Sequence, residues 1–228
     1  MNGIELQAAS VGVSGQILLH PLTLYLTERR IAILGRNGAG KTTLLRLMAG
    51  LMPPTTGTVT VEGADPADRR AMLGAIGILF QNPDHQIIFP TVEEELAFGL
   101  RQMGHADPDG TARAALAAEG RADWAGRPVS TLSQGQKQYL CLLSILLMGP
   151  KTILLDEPFA ALDLPTRLRL QRRLAALPQR LVTITHDPAS VMGCDRVLWL
   201  DGGRVLADGA PDAVLPPFMA EMERLGAE

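Results

Sequence analysis

The sequence predicts an α/β fold with a mainly parallel sheet, and three observations support this class. Short apolar runs typical of buried strands alternate with helical patterns along most of the 228 residues. A glycine-rich loop, "GRNGAGKT", lies between one such strand and a helix. A third segment, "GTVTVEG", alternates Thr and Val between glycines, which indicates an exposed β-hairpin arm.

The first third of the chain contains the strands around the glycine-rich loop. Apolar residues at 22–28 and 31–34 indicate two strands. The segment "LLRLMAGL" after the loop indicates a helix that ends near Pro53-Pro54. The run "AIGILF" at 75–80 indicates a further buried strand.

From Gln81 to about Met148 the composition changes to Ala- and Glu-rich helix with polar loops. The segments "EEELAFGLRQMG" and "TARAALAAEGRADW" are helical patterns, separated by the turn "HADPDG". Strand patterns then return in "TILLDEP", at 180–186, at 196–203 and at 204–209. A helix at 165–177 separates the first two, and a final helix at 217–225 is expected in the tail after Pro211.

The composition argues against several classes of protein. With 46% hydrophobic residues, 20% charged residues and a net charge of −3, the chain does not resemble a dedicated nucleic-acid binder. Its two cysteines, Cys141 and Cys194, form no CxxC pair, which argues against a structural zinc site. Without a secretory signal, we expect both to be buried thiols in a reducing cytoplasm.

The most apolar part of the chain, residues 139–155, is too short to cross a membrane. Gly149, Pro150 and Lys151 interrupt it after about ten apolar residues, whereas a spanning helix needs about 20. We therefore expect a buried helix, a turn and a buried strand.

The loop "GRNGAGKT" matches the pattern G-x4-G-K-[ST] between a strand and a helix, which is typical of nucleotide binding. Its glycines let backbone N–H groups surround phosphate oxygens at the positive end of the helix. Lys41 can reach the β- and γ-phosphates, and the Thr42 hydroxyl can bind Mg²⁺. The alternative is a glycine-rich turn that happens to contain a lysine. The predicted nucleotide-binding residues of this loop are Gly35, Arg36, Asn37, Gly38, Ala39, Gly40, Lys41, Thr42 and Thr43.

Polar side chains follow other apolar strands, where ligands of α/β sheets bind. Asp156 could hold Mg²⁺, and Glu157 could act as general base on a water molecule. The alternative is that these acids merely end a strand and cap a helix. Two further polar residues follow strands: Gln81, which could bind Mg²⁺ or the water, and His186, which could donate to the γ-phosphate. Asp163 lies shortly after the acid pair.

The stretch "TLSQGQKQ" supports both a structural and a ligand-binding interpretation. Ser133 and Gln136 fit the S-x-x-Q capping box at the start of the apolar helix. A capped helix N-terminus that contains Gly135 is also suited to an anion.

In their order, these segments resemble the ATPase subunits of ABC transporters. The matching segments are "GRNGAGKTT", "LFQNP", "LSQGQ", "ILLDEP", "AALD" and "TITHD". The resemblance implies a P-loop NTPase with a RecA-like core (1–83 and 151–210), an antiparallel β arm, an inserted helical subdomain at about 84–150 and a tail at 211–228.

The resemblance also implies two ATP molecules, each with Mg²⁺, between the subunits of a head-to-tail dimer. Each ATP would contact one phosphate loop and the opposite chain's Ser133, Gln134, Gly135 and Gln136. Gln81 then corresponds to the Q-loop residue, Glu157 to the catalytic glutamate, Asp163 to the D-loop acid and His186 to the switch histidine. Catalytic roles would fall to Glu157, His186 and Gln81, and metal binding to Thr42, Gln81 and Asp156.

The sequence departs from the family pattern at several positions. Gln134 replaces the first glycine of the usual LSGGQ signature, and Ser144 replaces a common arginine. The aromatic residue that usually stacks on adenine is missing near residues 10–16, where Val11 or Val13 takes its place. We expect activity to survive because Gly135 is kept.

The segment "FQNPDHQIIFPTVEEELAFGL" at 80–100 resembles the ATPases of energy-coupling factor (ECF) importers. The resemblance implies a peripheral protein at the cytoplasmic face of the cell membrane, bound to a transmembrane scaffold protein and, through it, to a substrate-binding membrane subunit. The alternative for "EEELAFGL" is an amphipathic helix with a solvated acidic face. The short C-terminus favours biotin as the substrate, with cobalt or nickel as the competitor.

The sequence leaves open whether the dimer is homo- or heteromeric, although the intact motifs favour a homodimer. A soluble assembly ATPase, as in iron–sulfur cluster biogenesis, is the main alternative function. ABC ATPases of DNA repair or translation need a coiled-coil insertion or tandem cassettes that 228 residues do not contain. A metabolic P-loop kinase would lack "LSQGQ".

Overall fold

The computed structural model describes residues 3–160 and 162–227. This part of the chain is a mixture of strands and helices, as the α/β prediction requires. In chain order the elements are β1 Ile4–Val13, β2 Gln16–Leu26, β3 Arg30–Leu34, α1 Lys41–Met48, β4 Thr56–Val61, α2 Arg69–Ala75, β5 Ile76–Leu79, α3 Val92–Gln102, α4 Pro108–Ala118, α5 Gln134–Leu147, β6 Thr152–Asp156, α6 Leu164–Ala175, β7 Arg180–Thr185, β8 Arg196–Asp201, β9 Arg204–Gly209 and α7 Pro211–Gly226.

The chain divides into two compact units. The first comprises the residues up to Ile76, Lys151–Glu157 and those from Gln179 onward. The second comprises Gly77–Pro150 and Pro158–Pro178. The helical subdomain expected at 84–150 therefore lies within the second unit, which also contains α6.

The first unit contains the antiparallel arm. Its three strands have the order β2-β1-β4, with β1 antiparallel to both neighbours. Side chains of alternating residues such as Ile4, Leu6 and Val61 are buried, which fixes the face that each strand presents to the core. The Thr/Val alternation of "GTVTVEG" thus belongs to a strand, as predicted, but this strand, β4, pairs with β1 and forms no hairpin of its own.

The main sheet of the first unit has the order β6-β7-β3-β8-β9. The first four strands are parallel, and β9 pairs with β8 in antiparallel orientation. Leu34 pairs with Thr185, and Asp156 pairs with Ile184. The ends of β3, β6 and β7 consequently lie at one edge of the sheet.

The C-terminal helix α7 is longer than predicted. It begins at Pro211 rather than near residue 217, and it contains Pro216 and Pro217. Proline removes helix hydrogen bonds, but burial of Val214 and Phe218 compensates for this loss. Both side chains pack in a core cluster with residues of β3 and β8, and the Phe218 ring meets Trp199 edge-on at 5.6 Å between centroids.

The second unit is built on α3, α4 and α5. Their inward side chains form a core with three residues of the segment between α4 and α5, namely Trp124, Val129 and Leu132. A capping box of Thr91 and Glu94 begins α3. Helix α4 begins at Pro108, earlier than predicted, because Asp107 caps it and proline is tolerated in the first turn.

The apolar run at 139–155 forms the body of α5, a turn and β6, as expected. Within the described residues, no helix is long and apolar enough to span a membrane. Cys141 is buried, whereas Cys194 is only partly buried. Burial raises the pKa of the Cys141 thiol to about 12 and that of Cys194 to about 11, so both are protonated at neutral pH.

An ion pair between Arg180 and Glu62 lies in the interior of the first unit. The two side chains are 12% and 2% exposed. The Thr152 hydroxyl donates to the Glu62 carboxylate at 2.6 Å. Arg180 also donates to the carbonyls of Glu28 and Thr27, at 3.0 and 3.1 Å. The charges are therefore compensated inside the protein.

We expect Glu62→Gln to destabilise the chain by about 3 kcal/mol, because it leaves the buried Arg180 charge without a carboxylate. Urea unfolding followed by circular dichroism measures the change. Glu221→Gln is the control, since it breaks the surface pair with Arg224 and should leave the midpoint unchanged. Equal midpoints for both variants and the wild type would contradict a stabilising role for the buried pair.

Candidate functional site

The predicted site residues divide between the two units. The phosphate loop, Asp156, Glu157 and His186 belong to the first unit. Gln81, the signature residues 133–136 and Asp163 belong to the second. Each group forms its own local arrangement.

The phosphate loop connects the end of β3 to the start of α1. Gly38 and Gly40 have φ angles of +82° and +102°, which favour glycine. Gly40 is the N-cap of α1 and provides no side chain to satisfy the N–H groups of the first turn. The loop therefore presents backbone donors at a helix N-terminus, the arrangement that binds anions.

The Lys41 side chain bends back over the loop. Its amine donates to the carbonyls of Gly35 and Arg36, at 2.7 and 2.9 Å. Lys41 is only 5% exposed, and burial lowers the pKa of its amine, partly opposed by Glu157 and Asp156. The site thus contains a buried cation whose hydrogen-bond acceptors are backbone oxygens.

The acid pair lies at the end of β6. Burial, followed by the neighbouring charge of Glu157, raises the pKa of the Asp156 carboxyl. The Glu157 N–H donates to the Ile184 carbonyl at 3.0 Å. Glu157 has a φ of +45°, a strained conformation of the kind that clusters at functional sites.

His186 lies directly after β7 and contacts Glu157. Its Nδ1 is 3.0 Å from Oε1 of Glu157. Lys41 is close enough for Glu157 and Asp156 to act on its charge. The first unit therefore brings together the lysine, both acids and the histidine that the sequence singled out.

In the second unit, "LSQGQ" forms the start of α5. The Ser133 hydroxyl accepts from the Gln136 N–H at 3.3 Å, and the Gln136 side chain accepts from the Ser133 N–H at 2.9 Å. The predicted capping box is confirmed.

The unusual residue Gln134 has a specific partner. Its amide donates to the Asp84 carboxylate at 2.9 Å, and Lys137 donates to the other oxygen of Asp84 at 2.6 Å. These bonds, Lys137 first, lower the pKa of Asp84. Gln134 therefore joins the signature segment to the short turn that follows Gln81.

A cavity of about 420 Å³ lies beside the signature segment within the second unit. Its lining includes Ser133, Gly135, Gln136 and Asp163. The Asp163 carboxylate caps α6 by accepting from the Thr166 N–H at 3.0 Å, and the Thr166 hydrogen bonds lower its pKa. Gly135 fits closely, because a Cβ there would lie 2.5 Å from the Thr166 methyl group.

The sequence did not reveal the basic and aromatic wall of this cavity. The Arg121 guanidinium lies 4.3 Å from the ring centroid of Trp124 and 4.9 Å from that of Tyr139. Arg173 pairs with Glu119, which also accepts from the Tyr139 hydroxyl. Tyr139 in α5 and Arg173 in α6 lie far along the chain from Arg121 and Glu119, so no local pattern could have indicated their contacts. The contact of Arg121 with Trp124 is local.

Two further sequence expectations concern Gln81 and the adenine position. Gln81 is exposed and follows β5 closely, as predicted. Of the two valines proposed to replace the missing aromatic, Val11 is only 2% exposed because it faces the core of the arm. Val13 is 48% exposed and precedes the turn at Ser14-Gly15, so only Val13 offers a surface.

We expect the buried Lys41 charge to make stability depend on pH. Its folded pKa lies below its unfolded value, so the unfolded chain binds more protons and wild-type stability rises as pH approaches 10.5. Lys41→Met should lack this contribution. Urea unfolding of both chains at about pH 7.5 and pH 10 measures the difference between their free energies of unfolding. This difference should shift in favour of the wild type at the higher pH. A difference that is independent of pH would contradict the lowered pKa.

Comparisons with known proteins identify the family. The sequence pattern described as ABC transporter matches residues 19–160. The biotin transport ATP-binding protein BioM of Rhodobacter capsulatus is 55% identical over 228 residues, which cover 99% of this chain and 97% of that protein. The energy-coupling factor transporter ATP-binding protein EcfA1 of Levilactobacillus brevis is 38% identical over 81% of this chain and 69% of that protein.

Solved structures agree with this assignment. The structure of cbiO1 from Clostridium perfringens, part of the ABC transporter complex cbiONQ, aligns with a TM-score of 0.78 and 26% identity. The alignment covers 100% of this chain and 98% of that one. The predicted fold class and the resemblance are thereby confirmed. This chain belongs to the ABC transporter family, among its ATP-binding and ATP-hydrolysing subunits.

Proposed function

We propose that this chain is the ATP-driven motor of an ECF-type importer whose substrate is biotin. The observation that carries this proposal is the 55% identity to a biotin transport ATP-binding protein over nearly the full length of both chains. The identity to the energy-coupling factor protein of L. brevis, at 38%, is lower. Cobalt or nickel import is the alternative within the same class of transporter.

The phosphate loop of the first unit suits the triphosphate of ATP. Its residues 35–43 combine two left-handed glycines, a helix N-terminus without a side-chain cap and the buried Lys41 amine. When ATP binds, its phosphate oxygens would replace the carbonyls of Gly35 and Arg36 as partners of the amine. Charge neutralisation by Lys41 and hydrogen bonds from the loop would then hold the nucleotide.

We assign Asp156 and Thr42, both in the first unit, to Mg²⁺. No cluster of three or more His, Cys, Asp or Glu able to hold a metal occurs in residues 3–160 and 162–227. The Asp156 carboxylate and the Thr42 hydroxyl are oxygen donors that suit Mg²⁺, which usually takes one or two carboxylates and completes its shell with water and phosphate. The ion would supply neutralising charge at the β- and γ-phosphates.

Glu157 is the proposed general base for hydrolysis. The Ile184 carbonyl fixes its backbone, and His186 lies 3.0 Å from its carboxylate. A carboxylate held in this way can accept a proton from the water that attacks the γ-phosphate. His186 would orient the carboxylate and donate to the γ-phosphate.

The signature residues 133–136 and Asp163 would serve the ATP held by a second copy of the chain. The start of α5 offers the Ser133 hydroxyl and helix N–H groups, and the arginines beside it add positive charge. Ser133, Gly135, Gln136 and Asp163 line a cavity within the second unit, and we propose that this cavity serves the partner's nucleotide in a head-to-tail homodimer that forms both active sites.

The segment 80–100 is the proposed contact with the membrane-embedded scaffold protein and, through it, with the substrate-binding subunit. Ile88 is 71% exposed, and the Phe89 and Phe98 rings contact each other in a tilted arrangement, with centroids 5.1 Å apart. The Glu95 carboxylate accepts from the N–H groups of Ile88 and Phe89, both at 2.9 Å, which fixes this apolar turn. Leu96 instead packs in the core. The chain would then be peripheral, at the cytoplasmic face of the membrane.

A soluble assembly ATPase remains the alternative function. Such a protein would have soluble partners and would not need an exposed apolar turn at Ile88. Purification of the chain from detergent-solubilised membranes discriminates between the two, since a motor subunit copurifies with integral membrane proteins.

We expect Glu157→Gln to retain ATP binding but to lose hydrolysis by a factor of about 10² or more, because the amide cannot accept a proton. The variant should accumulate as an ATP-bound dimer in size-exclusion chromatography. Vesicles that contain the intact transporter should take up labelled biotin with the wild-type chain and not with this variant. Hydrolysis at the wild-type rate would exclude Glu157 as the base, and uptake of cobalt or nickel instead of biotin would exclude the proposed substrate.

We expect complementation between two inactive variants, Lys41→Ala and Ser133→Arg. In a mixed dimer, one site combines both defects, whereas the other combines an intact phosphate loop with an intact signature segment. Mixing the purified chains should therefore restore ATPase activity that neither variant has alone. If mixing restores none while mixed dimers form, the signature segment serves the ATP of its own chain.

A further inference from the structure

The turn between β8 and β9 contacts the phosphate loop. This turn lies in the C-terminal part of the chain and comprises Asp201, Gly202 and Gly203. The Gly203 N–H donates to the Ala39 carbonyl at 3.0 Å. The Gly203 carbonyl accepts from the His20 N–H, also at 3.0 Å. Gly203 thus joins the phosphate loop to β2 through backbone groups alone.

The contact leaves no room for a side chain at Gly203. A Cβ atom there would lie 2.4 Å from the Leu18 carbonyl oxygen, and its φ is +70°. On the other side, a Cβ at Gly40 would be 3.2 Å from the same oxygen and 3.5 Å from the Gly203 Cα. Two glycines therefore allow the turn, β2 and the phosphate loop to pack backbone against backbone.

The bond from Gly203 sets the direction of one peptide group in the loop. In a trans peptide, the carbonyl and the following N–H point to opposite sides. Because the Ala39 carbonyl points to Gly203, the Gly40 N–H points away from the turn. Amide groups of this loop are those that receive the phosphate in the proposed function.

We propose that Gly203 is a positioning residue for nucleotide binding, which holds the Ala39–Gly40 peptide with its N–H directed at the phosphate. The inference rests on the proposed role of the loop in binding ATP. Arg36 and Asp201 form a second link between loop and turn at 3.4 Å. Both side chains are substantially exposed, so this pair contributes little.

Gly202 provides a matched control for a test of Gly203. It lies in the same turn with a φ of +52°, but a Cβ there meets no atom within 4 Å. Alanine should cost similar backbone strain at both positions, whereas only Gly203→Ala displaces the phosphate loop. We expect Gly203→Ala to weaken binding of a fluorescent ATP analogue about tenfold or more and Gly202→Ala to change it by less than about twofold.

Thermal unfolding of both nucleotide-free variants separates positioning from general destabilisation. We expect a loss of affinity in Gly203→Ala at temperatures where both variants remain folded. Equal affinities in the two folded variants would overturn the inference while leaving the ATP-binding function intact. Failure of the wild-type chain to bind the analogue would instead contradict the proposed function.

Hydrogen exchange of the wild-type chain tests the inference even if Gly203→Ala does not fold. ATP that orders the phosphate loop should slow exchange of the Gly203 amide, although Gly203 itself is not proposed to touch the nucleotide. The Gly202 amide should change less. Unchanged exchange at Gly203 in the presence of saturating ATP would overturn the inference.

Discussion

The parallel pairing of β6, β7, β3 and β8 is the constraint on which the first unit's site depends. Parallel strands in register end at the same edge, so the residues that follow them must converge. This places the phosphate loop after Leu34, the acids at the end of β6 and His186 after Thr185 in one neighbourhood. A shift of β6 by one residue against β7 would turn Asp156 away from this edge. A polar side chain would then be buried in the sheet.

The charged groups of this neighbourhood are held in unfavourable environments. Burial lowers the pKa of Lys41 and raises that of Asp156, so the protein opposes the charged form of both. Glu157 adds backbone strain at φ +45°. A bound nucleotide and cation would supply the compensating charges. These groups therefore lower the folding stability of the first unit, and bound ligands would compensate their charges.

Much of the fold and the site could be predicted because the signals are local. The pattern G-x4-G-K-T, the S-x-x-Q box and the acids that end β6 depend on residues within a few positions of each other. The partner of Gln134 could not be predicted, because Asp84 lies in a different element. The same holds for the Glu62–Arg180 pair and for the contact of the Tyr139 ring with Arg121. The predicted start of α7 was wrong because burial of Val214 and Phe218 outweighs the tendency of proline to interrupt a helix.

The position of β3 has a consequence for biosynthesis. Its two neighbours in the sheet, β7 and β8, lie in the last quarter of the chain, and the core beneath it needs Phe218. On the ribosome, the strand that leads into the phosphate loop therefore stays unpaired until β7 and β8 have emerged. Its run of Ile, Ala, Ile and Leu is exposed during that time, which makes the nascent protein a substrate for chaperones. Competence to bind a nucleotide therefore arises only after β7 and β8 have been synthesised.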